Sequence, residues 1–169
     1  MTLVRVKQVF LFILIAFSAG KLHAQILPCI DSLMRPPNPY FTCYDGYNPV
    51  CGCDSQTYRN DCFAYNKAAL NYRRPGICAS ELFDIDLVPN PVNIEPAQFS
   101  MAVRIPSSCY VYITDAFGGT VFKRNFYSSY ADQITTFEID MNGLRNGVYA
   151  LIAIVEGEKK FVKFIKVKF

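Results

Sequence analysis

Apolar and polar positions follow three different regimes along the chain. Residues 9–17 form an unbroken apolar run behind Arg5 and Lys7, and Ser18, Ala19 and Gly20 follow it. Between about residues 25 and 80, apolar runs are short and broken by prolines and tyrosines. There the pattern predicts two short strands, 50–53 and 57–59, with Asp54-Ser55-Gln56 as the turn between them. Asn60 is placed to cap a helix from Asp61 towards Leu70, carrying Phe63, Lys67 and Leu70 at helical spacing, and Pro75-Gly76 closes the segment. From residue 81 onward, alternating segments predict strands at 82–88, 100–105, 109–114, 120–126, 134–140, 148–155 and 160–169. Pro89-Asn90-Pro91, Ala116-Phe117-Gly118-Gly119, Gly143–Gly147 and Glu156-Gly157-Glu158 supply breaks and turns. About seven strands at this spacing predict an all-β antiparallel, Ig-like sandwich.

The first regime changes how charge and composition are read. A basic flank, a short apolar stretch and small residues make a cleavable secretory signal peptide, expected to span 1–24 with cleavage after Ala24. The run falls short of the ~20 apolar residues of a bilayer-spanning helix, and no other segment qualifies, so the mature chain is expected to have no transmembrane segment. A lipid anchor would need a cysteine directly after the small residues, and Cys29 comes too late. Arg5, Lys7 and Lys21 account for three of the 17 basic residues, so the remainder balances the 14 acidic ones. A neutral chain without a basic cluster argues against nucleic acid as partner. The single histidine, His23, leaves with the leader, which excludes Ser-His-Asp triads, Cys-His dyads and His-ligated zinc from the mature protein. The expectation is no enzyme, no cofactor and no metal.

Six of the seven cysteines lie in the middle regime: Cys29, Cys43, Cys51, Cys53, Cys62 and Cys78. A segment this small needs cross-links to hold a fold, and export favours their oxidation over a metal-thiolate site at Cys51-Gly52-Cys53. Six cysteines permit 15 connectivities, and spacing alone selects none. The run from Asn48 through Pro49-Val50-Cys51-Gly52-Cys53-Asp54, Thr57-Tyr58 and Asn60 to Cys62 resembles the Kazal-type serine protease inhibitor family. Seven residues separate Cys43 from Cys51, and ten separate Cys51 from Cys62, as in that family. The resemblance implies a small disulfide-rich α+β module at 25–80, with bridges Cys43–Cys62, Cys51–Cys78 and Cys29–Cys53. It is a variant, because Tyr65 stands where the family carries a helix cysteine and Cys53 supplies the missing thiol in a Cys-Gly-Cys.

The family presents the stretch after the position of Cys43 to a protease as a substrate-like loop. Carried over residue by residue, Tyr44, Asp45, Gly46, Tyr47 and Pro49 form that loop, and Asp45–Gly46 is its reactive bond. Asn60 is the loop's support, hydrogen-bonded to its backbone. Inhibition would follow from rigidity, since little ordering entropy remains to be lost on binding. An aspartate at the primary position suits neither trypsin-like nor chymotrypsin-like pockets, because an isolated carboxylate is costly to desolvate.

The last regime resembles the type A C-terminal sorting domain of the bacterial type IX (Por) secretion system. Leu87-Val88-Pro89-Asn90-Pro91-Val92, the middle stretch Val111 to Gly119, and Leu144-Arg145-Asn146-Gly147-Val148-Tyr149 carry the likeness, with a Lys-rich final strand. The resemblance assigns Pro89, Asn90, Pro91, Gly147, Val148 and Tyr149 to the sorting motif. It implies passage through the periplasm to the outer-membrane surface or the medium, the secretion translocon and sorting machinery as partners, and a Bacteroidetes-type source. Of Lys159, Lys160, Lys163, Lys166 and Lys168, most are read as a solvated edge that discourages sheet pairing. Asp84 and Asp86 alternate on one strand, too few to make a calcium site. Cys109 is the unpaired thiol, buried in a strand or bridged to another molecule. The two resemblances together imply a secreted inhibitor of a serine protease, with domains 1–24, 25–80 and 81–169. The alternative is a non-inhibitory extracellular binding or spacer module displayed at the surface.

Overall fold

The computed structural model of the protein describes residues 27–31, 33, 42–44 and 46–168. The leader at 1–24 and Asp45 lie outside the described residues. In the front region, β1 (Val50–Gly52), β2 (Thr57–Tyr58) and β3 (Arg73–Pro75) form an antiparallel sheet in the order β2-β1-β3. The β1–β2 turn closes as Gly52 donates its N–H to the Gln56 carbonyl at 2.9 Å, while Gln56 N–H reaches Asp54 Oδ1 at 3.2 Å. Gly52 is needed because a Cβ there would run into the Leu70 and Asp54 side chains.

Two expectations need correction here. The helix does not reach Leu70: after one turn at Asp61 it becomes a π-helical turn, Phe63–Lys67, closed by Ala68 N–H on the Phe63 carbonyl at 3.1 Å. Ala69 then takes a positive φ of 55°, which turns Leu70 into the core beside Val50 and Ala64. A regular helix would instead have carried Lys67 and Leu70 along one face, and Lys67 is exposed. The second correction is β3, which has no apolar alternation and pairs only because β1 offers it a free edge. Three disulfides, Cys29–Cys53, Cys43–Cys62 and Cys51–Cys78, cross this small core.

Seven strands make the back region. They are β4 (Phe83–Val88), β5 (Ala97–Val103), β6 (Ser107–Thr114), β7 (Thr120–Ser128), β8 (Gln133–Ile139), β9 (Gly147–Val155) and β10 (Glu158–Lys166). They form two antiparallel sheets, β10-β9-β6-β7 and β4-β5-β8. Alternate residues of both sheets, including Phe83, Phe99, Met101, Val111, Ile113, Leu151 and Phe164, enclose one apolar core. That is the two-layer solution open to sheets with one apolar face each. Cys109 is buried in β6 without a partner thiol, and burial pushes its pKa up. Most lysines of the final strand reach solvent, and Lys166 is the exception. Lys166 is only 2% exposed and pairs with Glu95, whose other oxygen accepts the Met141 N–H at 2.8 Å. Lys166 points inward because it keeps the register of Phe164, two residues before it.

The front region sits on the outer face of the β4-β5-β8 sheet. Ser100 and Ala102 alternate with the core residues Phe99, Met101 and Val103, so they face away from the core, yet both are buried. Arg104 reaches across to the Cys78 carbonyl at 3.2 Å.

Candidate functional site

The candidate site is the loop around residues 42–48, and its geometry is organised by Asn60. This side chain is fully buried. Its Nδ2 donates to the Tyr44 carbonyl at 3.1 Å and to the Gly46 carbonyl at 2.7 Å. Its Oδ1 accepts the Phe63 N–H at 3.2 Å, which serves the start of the helical turn. One amide therefore joins loop and turn with every bond directed at backbone. A buried Asn is costly unless its polar atoms are paired; here both ends are.

Covalent links hold the loop at Cys43, bridged to Cys62, and at Cys51, bridged to Cys78. Asn48 N–H donates to the Arg59 carbonyl at 2.9 Å, which ties the far side to the strand end after β2. Pro49 is buried, whereas Tyr44 and Gly46 are exposed. A Cβ on Gly46 would stand 2.8 Å from the Tyr44 ring. Asp45, the expected primary residue, is not among the described residues.

Tyr47 is turned towards the sheet rather than solvent. Its hydroxyl donates to Asp84 Oδ2 at 3.1 Å. Burial, then the charge of Asp84, raises the Tyr47 phenol well above its ordinary pKa. Burial also raises Asp84, against the pull of Lys160, whose ammonium lies 3.3 Å from Asp84 and 3.0 Å from Glu81. Asp86 is raised for the same reason; Arg59 meets its Oδ1 at 2.8 Å, and its Oδ2 is buried without a hydrogen bond. Thr57 donates to Glu81. Sequence reasoning noticed Asp84 and Asp86 only as alternate residues. Tyr47 and Arg59, which meet them, lie on a separate folded unit, and no local signal announces them. Among the described residues there is no cluster of His, Cys, Asp or Glu able to hold a metal, and no helix is long and apolar enough to cross a membrane.

Of the other singled-out residues, Asn90, Gly147, Val148 and Tyr149 meet at the last strand. Asn90 donates to the Lys163 carbonyl at 3.0 Å, and buried Val92 exchanges backbone bonds with Ile165 and Val167 at 2.8 and 3.0 Å. Pro89 and Pro91 flank that contact. Gly147 and Val148 pair with Lys166 and Ile165. Tyr149 stacks on Phe164 at 5.5 Å and donates its hydroxyl to the Arg145 carbonyl at 2.9 Å.

Comparison with known families agrees with this division into two regions. Residues 32–79 match the Kazal-type serine protease inhibitor domain, and residues 87–168 match the secretion system C-terminal sorting domain. The chain thus carries a Kazal-type inhibitor domain followed by a Por secretion system C-terminal sorting domain. Among curated proteins it is similar to "Serine protease inhibitor Kazal-type 9" of Homo sapiens, 35% identical over 52 residues, which cover 31% of this chain and 60% of the relative. The chain therefore spans about 60% of that relative's length. The Kazal family is not an enzyme family.

Proposed function

We propose that this protein is an exported, reversible inhibitor of a serine protease, acting through the loop formed by Tyr44, Asp45, Gly46, Tyr47 and Pro49. The observation that carries the reading is the brace from buried Asn60 to the carbonyls of Tyr44 and Gly46, which flank the proposed reactive bond. A loop held on both sides of that bond loses little entropy on docking, and its cleaved ends stay in register for resealing. The Cys-Gly-Cys arrangement supports placing this module in a variant branch of its family.

The sorting-domain likeness supports export beyond the outer membrane by the type IX machinery, following removal of a leader at 1–24. We assign the sorting domain, 81–169, to type A and to an Ig-like sandwich, and the source to the Bacteroidetes-type bacteria. Pro89, Asn90, Pro91, Gly147, Val148 and Tyr149 are the proposed sorting motif, and the contacts of Asn90, Gly147, Val148 and Tyr149 with the last strand support that strand as the feature they present. Deleting residues 158–169 should trap the protein in the periplasm; undiminished surface display would refute the export reading.

Inhibition is tested by titrating the purified chain against trypsin, chymotrypsin, elastase, subtilisin and a Glu-specific protease, before and after release of the sorting domain. Tight, stoichiometric inhibition of one of them is expected. A second reading, a non-inhibitory binding module, draws support from the engagement of Tyr47 by Asp84. No inhibition by either form, with disulfides intact, would favour it over inhibition.

A further inference from the structure

Access to the loop differs between its two halves. Tyr44, on the near side of the proposed reactive bond, is 61% exposed. Beyond the bond, Tyr47 is half-buried with its hydroxyl on Asp84, and Pro49 is buried. Asn48 and Pro49 form one wall of a cavity of about 480 Å³ whose other wall is built by Ala102, Arg104 and Ile134 of the sorting domain. A protease holding a substrate-like loop covers residues on both sides of the bond, and such complexes bury about 800 Å² per partner. At Tyr47, the second residue past the bond, the side chain that a protease would cover is already engaged by Asp84 of the β4-β5-β8 sheet, while Asn48 stays exposed at the edge of the cavity.

We propose that the sorting domain occludes Tyr47 in the far half of the reactive loop, so that the chain becomes a competent inhibitor only when its two domains part. The inference rests on the inhibitory reading above. The contacts suit separation, because they are hydrogen bonds and ion pairs rather than a continuous apolar seam: Tyr47 to Asp84, Arg59 to Asp86, Thr57 to Glu81 and Arg104 to the Cys78 carbonyl. Interfaces of that character between domains resemble transient ones. Losing them leaves the Asn60 brace and the disulfides at Cys43 and Cys51 untouched, since these lie wholly within the Kazal domain.

The test uses the full chain, its Asp84→Ala/Asp86→Ala variant, and a full chain carrying a specific cleavage sequence inserted after Ser80 and cut once folded. Each is measured in two ways. Nitration of Tyr47 by tetranitromethane, mapped by mass spectrometry, reports the docking irrespective of inhibition. The inhibition constant against the five proteases named above reports the consequence. The expected result is slow nitration in the parent, nitration at least ten times faster in the variant and the cut chain, and inhibition at least ten times tighter in both. Equal inhibition by all three forms would overturn the masking while leaving the inhibitory reading intact. Fast nitration in the parent would overturn the docking itself. Exposed Tyr47 with no inhibition in any form would overturn the inhibitory reading and the masking with it.

Discussion

Asn60 concentrates more structural consequence than any other polar residue of the front region. Its three bonds reach two loop carbonyls and one N–H of the helical turn. Replacing it by Ala leaves these groups to find water or go unpaired, and an unsatisfied buried group costs about 1–3 kcal/mol. We expect Asn60→Ala to lower thermal stability by an amount in that range. It should also weaken inhibition at least tenfold and accelerate cleavage of the loop, read by mass spectrometry after incubation with the target protease. Unchanged loop cleavage would remove Asn60 from the supporting role. Tyr58 shows a milder version of the same logic: burial first, then its 2.6 Å bond to Asp54, pushes its phenol up to about 12.

Among the elements, β10 combines an edge position with an inward charge. It ends the four-stranded sheet, and its outward residues Lys159, Phe161, Lys163 and Ile165 alternate with inward Val162, Phe164 and Lys166. Charges on an edge strand discourage pairing with a second molecule. Lys166 does something else, since its ammonium neutralises Glu95 inside the fold. Removing one partner of a buried pair costs about 3–5 kcal/mol, whereas replacing both by apolar residues is often neutral. Lys166→Ala should therefore destabilise the sorting domain by several kcal/mol in denaturant unfolding, and Lys166→Met with Glu95→Gln, which keeps an acceptor for the Met141 N–H, should recover most of that loss. If Lys166→Met alone recovers as much stability as the double variant, packing rather than charge is what Lys166 supplies.

At the scale of the whole molecule, the two domains are coupled through Tyr47 and the acidic residues of β4. The Tyr47 phenol is raised above its unfolded value by burial and by neighbouring carboxylates. Its stabilising contact is thus fully present below the ordinary tyrosine pKa of about 10 and is lost as pH rises beyond it, because only the unfolded or undocked form ionises easily. Compared with Tyr47→Phe, the parent should be the more stable at pH 8, by about 1.5–3 kcal/mol for a hydrogen bond to a charged group. That advantage should shrink between pH 10 and 11. A pH-independent difference would show that the hydroxyl contributes nothing across the interface.

Much of this architecture is legible along the chain because it depends on short-range pattern. The seven strands of the back region appear as alternation that survives to within a few residues at each end, since one face of each sheet must stay apolar. Cysteines and the residues around them carry the Kazal likeness, and Asn60 stands out because an Asn before a helical turn has a local job. Where the chain is read less well, distant partners decide. The helical turn stops at Lys67 because Leu70 must enter a core shared with Val50, and β3 exists because β1 has an edge to fill. Lys166 looks like one more surface lysine until Glu95 arrives from the segment between β4 and β5. The meeting of Tyr47 with Asp84, 37 positions away, follows from how one folded unit rests on the other. Periodicity encodes which face of a strand is apolar; only packing decides which polar groups are brought together out of water.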